Sequence, residues 1–445
     1  MSAVLKSAET GLSEDLIQPA ADHRALRFLT AGSVDDGKST LIGRLLFDSQ
    51  AIMADQLEGL EKRAAGAPID LSLLTDGLEA EREQGITIDV AYRYFATPRR
   101  KFIIADAPGH EQYTRNMVTA AAGSDAAVVL VDVTKIDWRQ RPVRLLPQTR
   151  RHALLAHLLR VPNIVFAVNK LDAVDQPQQA FEAVREALLA FVQQAHIQGL
   201  AGIVPVSALR GDNVAQRLDV PWNHGPSLLQ LLERLPATQE RTAGELMLPV
   251  QYVARDASLA EPGTGHQPRV LWGRIAQGGL RCGDAVQVFP SGELAVVAGL
   301  RRAGSTVASV QAGESAGVVL DRQLDVSRGD WLASPGALRP AQRFTAKLAW
   351  LDTEPAQVGR KYRVRHGNRW VQARIAAIEY RLDIHDLQPS PAQALAVNEI
   401  GLVRIELQHA LPLQPYAQNR VGGALIMVDP TSHRTSGALL VEATQ

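Results

Sequence analysis

Residues 26–40 read LRFLTAGSVDDGKST, and their pattern predicts the type of domain that the first half of the chain forms. The apolar run LRFLTA is typical of a buried strand. Residues 32–39 then match the pattern GxxxxGK[ST], directly before the helix-like stretch TLIGRLLFD. A loop of this kind points backbone N–H groups at phosphate oxygens where a helix begins. We therefore predict phosphate contacts from Gly32, Ser33, Val34, Asp35, Asp36, Gly37, Lys38, Ser39 and Thr40.

Four side chains of this loop carry separate expectations. Lys38 reaches the β and γ phosphates as a catalytic residue, and the Ser39 hydroxyl binds Mg2+. A glycine-rich turn that contains Gly-Lys-Ser by chance is the weaker alternative, because a strand precedes it and a helix follows. We expect Asp35 and Asp36 to point away from the phosphates, since the backbone N–H groups do the binding. For Asp35, a monovalent cation or a bracing role and simple solvation remain equally open.

After the loop, further apolar runs alternate with helix-like stretches, the order typical of βαβ units. Because the runs are apolar at nearly every position, they indicate a doubly wound, mostly parallel sheet that is buried on both faces. Ligands of such sheets bind at the carboxyl ends of the strands. The runs are KFIIAD (101–106), AAVVLVD (126–132), NIVFAVN (163–169) and GIVPVS (202–207).

After about residue 240 the pattern changes to short strand-like runs separated by turns such as GGLRCGD and PSGE. This change predicts two antiparallel β-barrel domains after the α/β domain in the chain. The segment SPGALRP is the predicted linker between the two barrels. The predicted boundaries are a tail at 1–22, the α/β domain at 23–240, and barrels at 243–336 and 340–445.

The run KFIIAD ends in DAPGH, residues 106–110. Asp106 can hold Mg2+ through a water molecule, Gly109 leaves its backbone free to meet a γ-phosphate, and His110 can orient the attacking water as a catalytic residue. An ordinary turn and a structural histidine are the alternatives. We assign nucleotide contacts to Asp106, Ala107, Pro108, Gly109 and His110.

The run NIVFAVN ends in NKLD, residues 169–172, and SAL follows the next run. The Asp172 carboxylate can accept hydrogen bonds from the N1–H and the 2-amino group of guanine, a pair that adenine lacks. Asn169 and Lys170 are expected to fix the loop and cover the base, and the Ala208 N–H to meet guanine O6. A plain surface loop is the alternative. The predicted guanine contacts are Asn169, Lys170, Leu171, Asp172, Ser207, Ala208 and Leu209.

Thr87, in the stretch GITI, is a candidate second hydroxyl ligand of Mg2+ and a catalytic residue of a switch segment that a triphosphate orders. Taken alone, Thr87 is better interpreted as a β-branched strand residue, and the switch interpretation depends on the other motifs. The stretch from Asp48 to Glu81 is expected to be the mobile or partner-facing part of this switch.

The composition limits the classes of partner. The 445 residues include 47 Lys and Arg against 47 Asp and Glu, so no net positive field attracts nucleic acid or an anionic membrane. The single cysteine cannot form an internal disulfide, and no run approaches the ~20 apolar residues of a membrane span. We expect a cytoplasmic protein that binds neither nucleic acid nor membrane.

Together, GSVDDGKST, GITID, DAPGH, NKLD and SAL resemble the motifs of the translation-factor GTPases, the class of elongation factor Tu. Within that class the chain looks most similar to the GTPase subunits of bacterial sulfate adenylyltransferases. The resemblance covers essentially the whole chain. It is carried by Ser33 and Asp36, where elongation factors usually have histidines, by DGLEAEREQGITIDVAYRYFAT and IIADAPGHEQYTRNMVT, and by the C-terminal NRVGGALIMVDPTSHRTSGALLV.

The resemblance implies a P-loop GTPase domain that uses GTP and Mg2+. GTP hydrolysis would drive formation of adenosine 5′-phosphosulfate and pyrophosphate from ATP and sulfate, in sulfate assimilation and cysteine biosynthesis. Adenylyl transfer would occur in a smaller adenylyltransferase subunit, within a heterodimer or higher assembly. A translation factor that carries aminoacyl-tRNA is the alternative, which the balanced charge disfavours.

The chain departs from this family's pattern in two stretches, near 134–150 and 258–268, where residues are inserted or a loop is extended. Some relatives carry a fused kinase domain. We do not expect its activity here, because no second phosphate-loop motif occurs.

Overall fold

The computed structural model describes residues 25–52, 58, 69–74, 90–107, 116–117, 120–121, 123–237, 244–255, 268–383 and 388–445. Four predicted site residues lie outside these ranges: Thr87, Pro108, Gly109 and His110. Most of the predicted switch and the extended loop near 258–268 lie outside them as well. The chain divides into two compact units, Met1–Thr238 and Gln239–Gln445.

The first unit contains a six-stranded sheet, within the described residues, in the order β2-β3-β1-β4-β5-β6. Every neighbouring pair except β2 and β3 is parallel, so the predicted doubly wound, mostly parallel sheet is confirmed. The strand β2 pairs antiparallel at one edge, where side chains alternate between half-buried and exposed. The strands are β1 (Leu26–Ala31), β2 (Ala91–Ala96), β3 (Lys101–Asp106), β4 (Ala126–Asp132), β5 (Asn163–Asn169) and β6 (Leu200–Pro205).

Helices connect the parallel strands and cover the sheet, and leucine and phenylalanine side chains between these layers form a buried core. Local sequence sets where two of them begin: α1 follows Gly37, whose φ of 91° only glycine adopts easily, and Ser227 caps α4 through a capping box with Gln230. The α-helices are α1 (Lys38–Asp48), α2 (Pro147–Leu158), α3 (Pro177–Gln194) and α4 (Leu228–Arg234), and the 3-10 helices span Leu71–Leu74, Val133–Lys135 and Leu171–Ala173.

In the second unit, the first barrel is an antiparallel sheet in the order β7-β16-β11-β12-β15-β9-β8. It closes because β7 and β8 are separated by only two residues and pair with opposite ends of the sheet. The strands are β7 (Met247–Pro249), β8 (Tyr252–Arg255), β9 (Arg269–Arg274), β10 (Gly279–Arg281), β11 (Ala285–Phe289), β12 (Leu294–Arg302), β13 (Ser305–Val307), β14 (Ser309–Gln311), β15 (Ser315–Leu320) and β16 (Trp331–Ala333).

The second barrel closes through pairing of β19 with both β20 and β24. Its strands alternate inward apolar with outward polar residues, as the KYRVRH strand shows. Its elements are β17 (Ala341–Trp350), β18 (Ala356–Gln357), β19 (Lys361–His366), β20 (Arg369–Leu382), β21 (Pro389–Ser390), β22 (Ala394–Leu395), β23 (Ile400–Leu411), a short helix α5 (Arg420–Gly423), β24 (Ala424–Val428) and β25 (Thr435–Thr444).

The two barrels contact each other within this unit. The His366 ring stacks on Trp331 with centroids 5.1 Å apart, and Arg369 forms an ion pair of 2.9 Å with Asp330. Among the helices that the structure describes, none combines the length and apolarity needed to span a membrane.

Candidate nucleotide-binding site

The loop between β1 and α1 has the tight curvature of a phosphate-binding loop. Asp35 and Gly37 both adopt positive φ, 62° and 91°. The buried Lys38 ammonium lies across the loop and donates to the carbonyl oxygens of Gly32 at 3.0 Å and Ser33 at 2.8 Å. Burial lowers the pKa of Lys38, and the negative charges of Asp106 and Asp36 partly oppose this shift. A phosphate group placed against this ammonium would relieve the cost of burying it.

The Asp36 carboxylate is buried, with 1% of the residue exposed. One oxygen accepts a hydrogen bond from the Ser33 N–H at 2.6 Å, and the other accepts one from Lys135 Nζ at 2.9 Å. Lys135 also donates to the Val34 carbonyl oxygen at 2.7 Å. This acidic side chain therefore braces the loop. Asp35 is exposed.

Lys135 lies in the stretch near 134–150 that the sequence comparison with the family's pattern interprets as an insertion. It also lies beside a second ion pair, between Asp132 and Lys170. Its Nζ is 3.7 Å from an oxygen of Asp132, the last residue of β4, and the same oxygen is 2.8 Å from Lys170 Nζ. Burial would raise the pKa of Asp132, but hydrogen bonds from Lys170 and Thr134 hold it below the ordinary value. The four charges connect the phosphate loop with the NKLD segment.

Asn169 joins three motifs at the carboxyl ends of the strands. Its Nδ2 donates to the Asp36 carbonyl oxygen at 2.8 Å, and its Oδ1 accepts from the Ala208 N–H at 2.9 Å. A Cβ on Gly37 would lie 2.5 Å from Asn169 Nδ2, so only glycine fits there. The expected loop-fixing contacts of Asn169 are present. The Ala208 N–H, however, is already engaged, so contact with guanine O6 would require this hydrogen bond to be shared or broken.

Asp172 lies in the 3-10 turn Leu171–Ala173, which follows Lys170 at φ 64°. Its side chain is 11% exposed, and its Oδ2 lies 3.7 Å from Arg210 Nε. Leu209 is 67% exposed, while Ala208 is buried. The predicted base-contacting residues thus lie at or after the carboxyl ends of the neighbouring strands β5 and β6. Most of the Asp172 side chain is shielded from solvent.

Two of the three Mg2+ ligands expected from the sequence, Ser39 and Asp106, lie at the same edge. Asp106 ends β3 and accepts a hydrogen bond from Thr30 Oγ1 at 3.2 Å, which orients its carboxylate. Its negative charge acts on the Lys38 ammonium and opposes the lowering of the lysine pKa by burial. Ser39 occupies the first turn of α1. These oxygens and the buried ammonium fit a magnesium-bound nucleotide, and the contributions of Thr87, Gly109 and His110 remain predictions.

His152 on α2 was not singled out from the sequence. It is 5% exposed, and burial lowers its pKa to about 3, with further contributions from the positive charges of Lys38 and Arg151. It is therefore neutral near pH 7. Nothing in the motif pattern signals it, because it occupies an ordinary helix position.

Comparison with known proteins matches residues 23–237 to the elongation factor Tu GTP binding domain and residues 343–442 to the GTP-eEF1A C-terminal domain-like family. Sulfate adenylyltransferase subunit 1 of Laribacter hongkongensis is 41% identical, over 98% of this chain and 89% of that protein. The chain belongs to the sulfate adenylyltransferase subunit 1 family. The Chromobacterium violaceum member is 42% identical, over 97% of this chain and 89% of that protein.

The bifunctional enzyme NodQ of Azospirillum brasilense is also similar, at 45% identity over 94% of this chain, and the chain spans 66% of its length. The resemblance inferred from the motifs is thus confirmed. The chain is a member of an enzyme family, and its first unit carries a GTP-binding domain of the elongation factor Tu type. The family's name, subunit 1, implies a partner subunit.

Proposed function

We propose that the chain binds GTP with Mg2+ and hydrolyses it. This hydrolysis drives formation of adenosine 5′-phosphosulfate and pyrophosphate from ATP and sulfate in a smaller adenylyltransferase subunit. The relatives named sulfate adenylyltransferase subunit 1, at 41% and 42% identity over nearly the whole chain, support this assignment.

The observation that carries the nucleotide part is the meeting of three motifs at Asn169. One side chain bonds the phosphate loop through Asp36 and the SAL segment through Ala208. Because Asn169 fixes the phosphate loop and the base-binding turn to each other, the phosphates and the base of one nucleotide would be bound at a defined separation. The Asp172 carboxylate beside this junction would select guanine over adenine by its hydrogen-bond pattern.

Hydrolysis depends on positioning and charge stabilisation rather than on covalent chemistry by the protein. Lys38 would neutralise the β and γ phosphates, and Ser39 and Asp106 would hold Mg2+, Asp106 through water. Mg2+ held by these residues would supply positive charge that stabilises the negative charge developing on the phosphates. Thr87 would add a second metal ligand, and His110 would orient the attacking water. A monovalent cation near the exposed Asp35 belongs to the same proposal.

The partner and the location are also part of the proposal. The smaller adenylyltransferase subunit would supply the adenylyl-transfer site, in a heterodimer or a higher assembly in the cytoplasm. The balanced charge of 47 basic and 47 acidic residues supports a protein partner rather than nucleic acid.

The test mixes both subunits with ATP, sulfate and Mg2+ and follows pyrophosphate release with GTP, with GDP and with a non-hydrolysable GTP analogue. We expect GTP alone to raise pyrophosphate formation. Lys38→Ala should return it to the GDP level, because the buried ammonium against the phosphates is lost. Pyrophosphate release that is the same with GTP, GDP and the analogue would contradict the coupling.

A further inference from the structure

Lys135 contacts the phosphate loop from outside every nucleotide motif. Its single ammonium group donates to the Val34 carbonyl oxygen at 2.7 Å and to Asp36 Oδ1 at 2.9 Å, 101 and 99 residues away along the chain. We propose that Lys135 is a positioning residue that holds the phosphate loop in the shape that binds the nucleotide's phosphates.

The geometry of the loop explains why such a clamp is needed. Val34 and Asp36 flank Asp35, which adopts φ 62°, a left-handed conformation that is strained for a residue with a Cβ. Lys135 bonds the residues on both sides of this strained position. The Ser33 N–H is bonded to the other oxygen of Asp36, so the clamp runs across the whole first half of the loop.

Lys135 also balances the charge of the buried Asp36 carboxylate. The Asp36 carboxylate is 1% exposed, and a buried carboxylate without a cation is strongly unfavourable. In the part of the chain that the structure describes, Lys135 is the cation that forms an ion pair with Asp36. Without Lys135, the Asp36 carboxylate would lose its ion-pair partner, and its negative charge beside the loop would repel bound phosphates. The Lys135 side chain is 36% exposed, so its replacement leaves no large cavity in the core.

This role presupposes the guanine nucleotide binding of the proposed function, but not its coupling to sulfate activation. The experiment measures GDP and GTP dissociation constants of the full chain by titration with fluorescent nucleotides. We expect Lys135→Met to weaken GDP binding about tenfold and GTP binding more, because GTP carries more negative charge. Lys135→Arg should restore most of the affinity, since a guanidinium can bond the same two oxygens.

Asp36→Asn separates positioning from general stability. An asparagine still accepts the hydrogen bond from the Ser33 N–H but no longer needs a cation, so adding Lys135→Met to Asp36→Asn should cost much less than tenfold. Such non-additivity marks a direct coupling between the two side chains. Lys135→Met should also lower the thermal unfolding temperature of the nucleotide-free chain, because it leaves a buried carboxylate without its cation, and adding Asp36→Asn should restore most of that loss. A purely structural role would weaken GDP and GTP binding by the same factor.

The matched control is Arg139→Gln, in the same inserted stretch, which removes the exposed ion pair between Arg139 and Asp175. It should bind GDP and GTP like the parent. If the parent binds neither nucleotide, the proposed function fails. If the parent binds both nucleotides and Lys135→Met binds each of them as tightly as the parent does, the positioning role is wrong. It is also wrong if the affinity losses of the two single variants add up in the double variant.

Discussion

Replacement of the Asp172 carboxylate by a carboxamide should change the base preference of the site from guanine to xanthine. In the structure the carboxylate is 11% exposed, so water competes little for its oxygens. Asp172→Asn removes an acceptor for the guanine N1–H and 2-amino group, while its amide can donate to the C2 carbonyl of xanthine. The variant should therefore lose GDP affinity and gain affinity for XDP.

The magnitude follows from the two hydrogen bonds. Each hydrogen bond to a charged group contributes about 1.5–3 kcal/mol, so the pair is worth about 3–6 kcal/mol. Arg210 Nε, 3.7 Å from Asp172 Oδ2, already stabilises the carboxylate and reduces the part that guanine contributes. We expect GDP affinity to fall by about 10²- to 10³-fold, or ~3–4 kcal/mol.

Competition titrations of the parent and the variant with GDP, XDP and IDP measure this change directly. Asp175→Asn is the control, because Asp175 lies three residues further on, with a side chain 66% exposed, and pairs with Arg139. That variant should keep the parent preference. A variant Asp172→Asn that still prefers GDP over XDP would refute the assignment of Asp172 as the residue that recognises the base.

Gly37→Ala should weaken GDP binding by at least about tenfold, since its Cβ would lie 2.5 Å from Asn169 Nδ2 at φ 91°. Gly123→Ala, where a Cβ meets nothing within 4 Å, should match the parent in the same titration. For the second unit, burial lowers the pKa of His366 from 6.5 to about 4. Only the unfolded chain binds this proton between those values. The contribution of neutral His366 to the free energy of unfolding is therefore fully present above pH 6.5 and falls by about 3 kcal/mol toward pH 4. In urea unfolding of the chain, His366→Phe, which can still stack on Trp331, should flatten this dependence. An unchanged slope would exclude His366 as its source.

The parallel strands were predictable because burial on both faces leaves an unbroken apolar run. The observed bounds of β1, β3, β4 and β5 coincide with the runs LRFLTA, KFIIAD, AAVVLVD and NIVFAVN. The strand β6 begins at Leu200, two residues before the predicted run. The edge strand β2 was not predicted, because its side chains alternate between partly buried and exposed and give no continuous apolar signal.

Some residues of the nucleotide site could be predicted from the sequence, and others could not. Residues at strand ends, such as Asp106 and Asn169, were predictable because a parallel sheet brings those ends together. Lys135 was not, because its contacts with Val34 and Asp36 span about a hundred residues and start from a stretch that looked like an insertion. The sequence predicted that the Asp36 side chain points away from the phosphates. It did not indicate that this carboxylate bonds the Ser33 N–H and Lys135.

If GTP hydrolysis in this chain drives sulfate activation, a change of base preference at Asp172 must change which nucleotide stimulates pyrophosphate release. Asp172→Asn, assembled with the smaller adenylyltransferase subunit, would be supplied with ATP, sulfate, Mg2+ and XTP, and pyrophosphate release would be measured. We predict that XTP stimulates the variant complex and not the parent complex, while GTP does the reverse. If XTP bound to the variant leaves pyrophosphate release at the nucleotide-free level while GTP still stimulates it, the stimulating site lies elsewhere and the claim is contradicted.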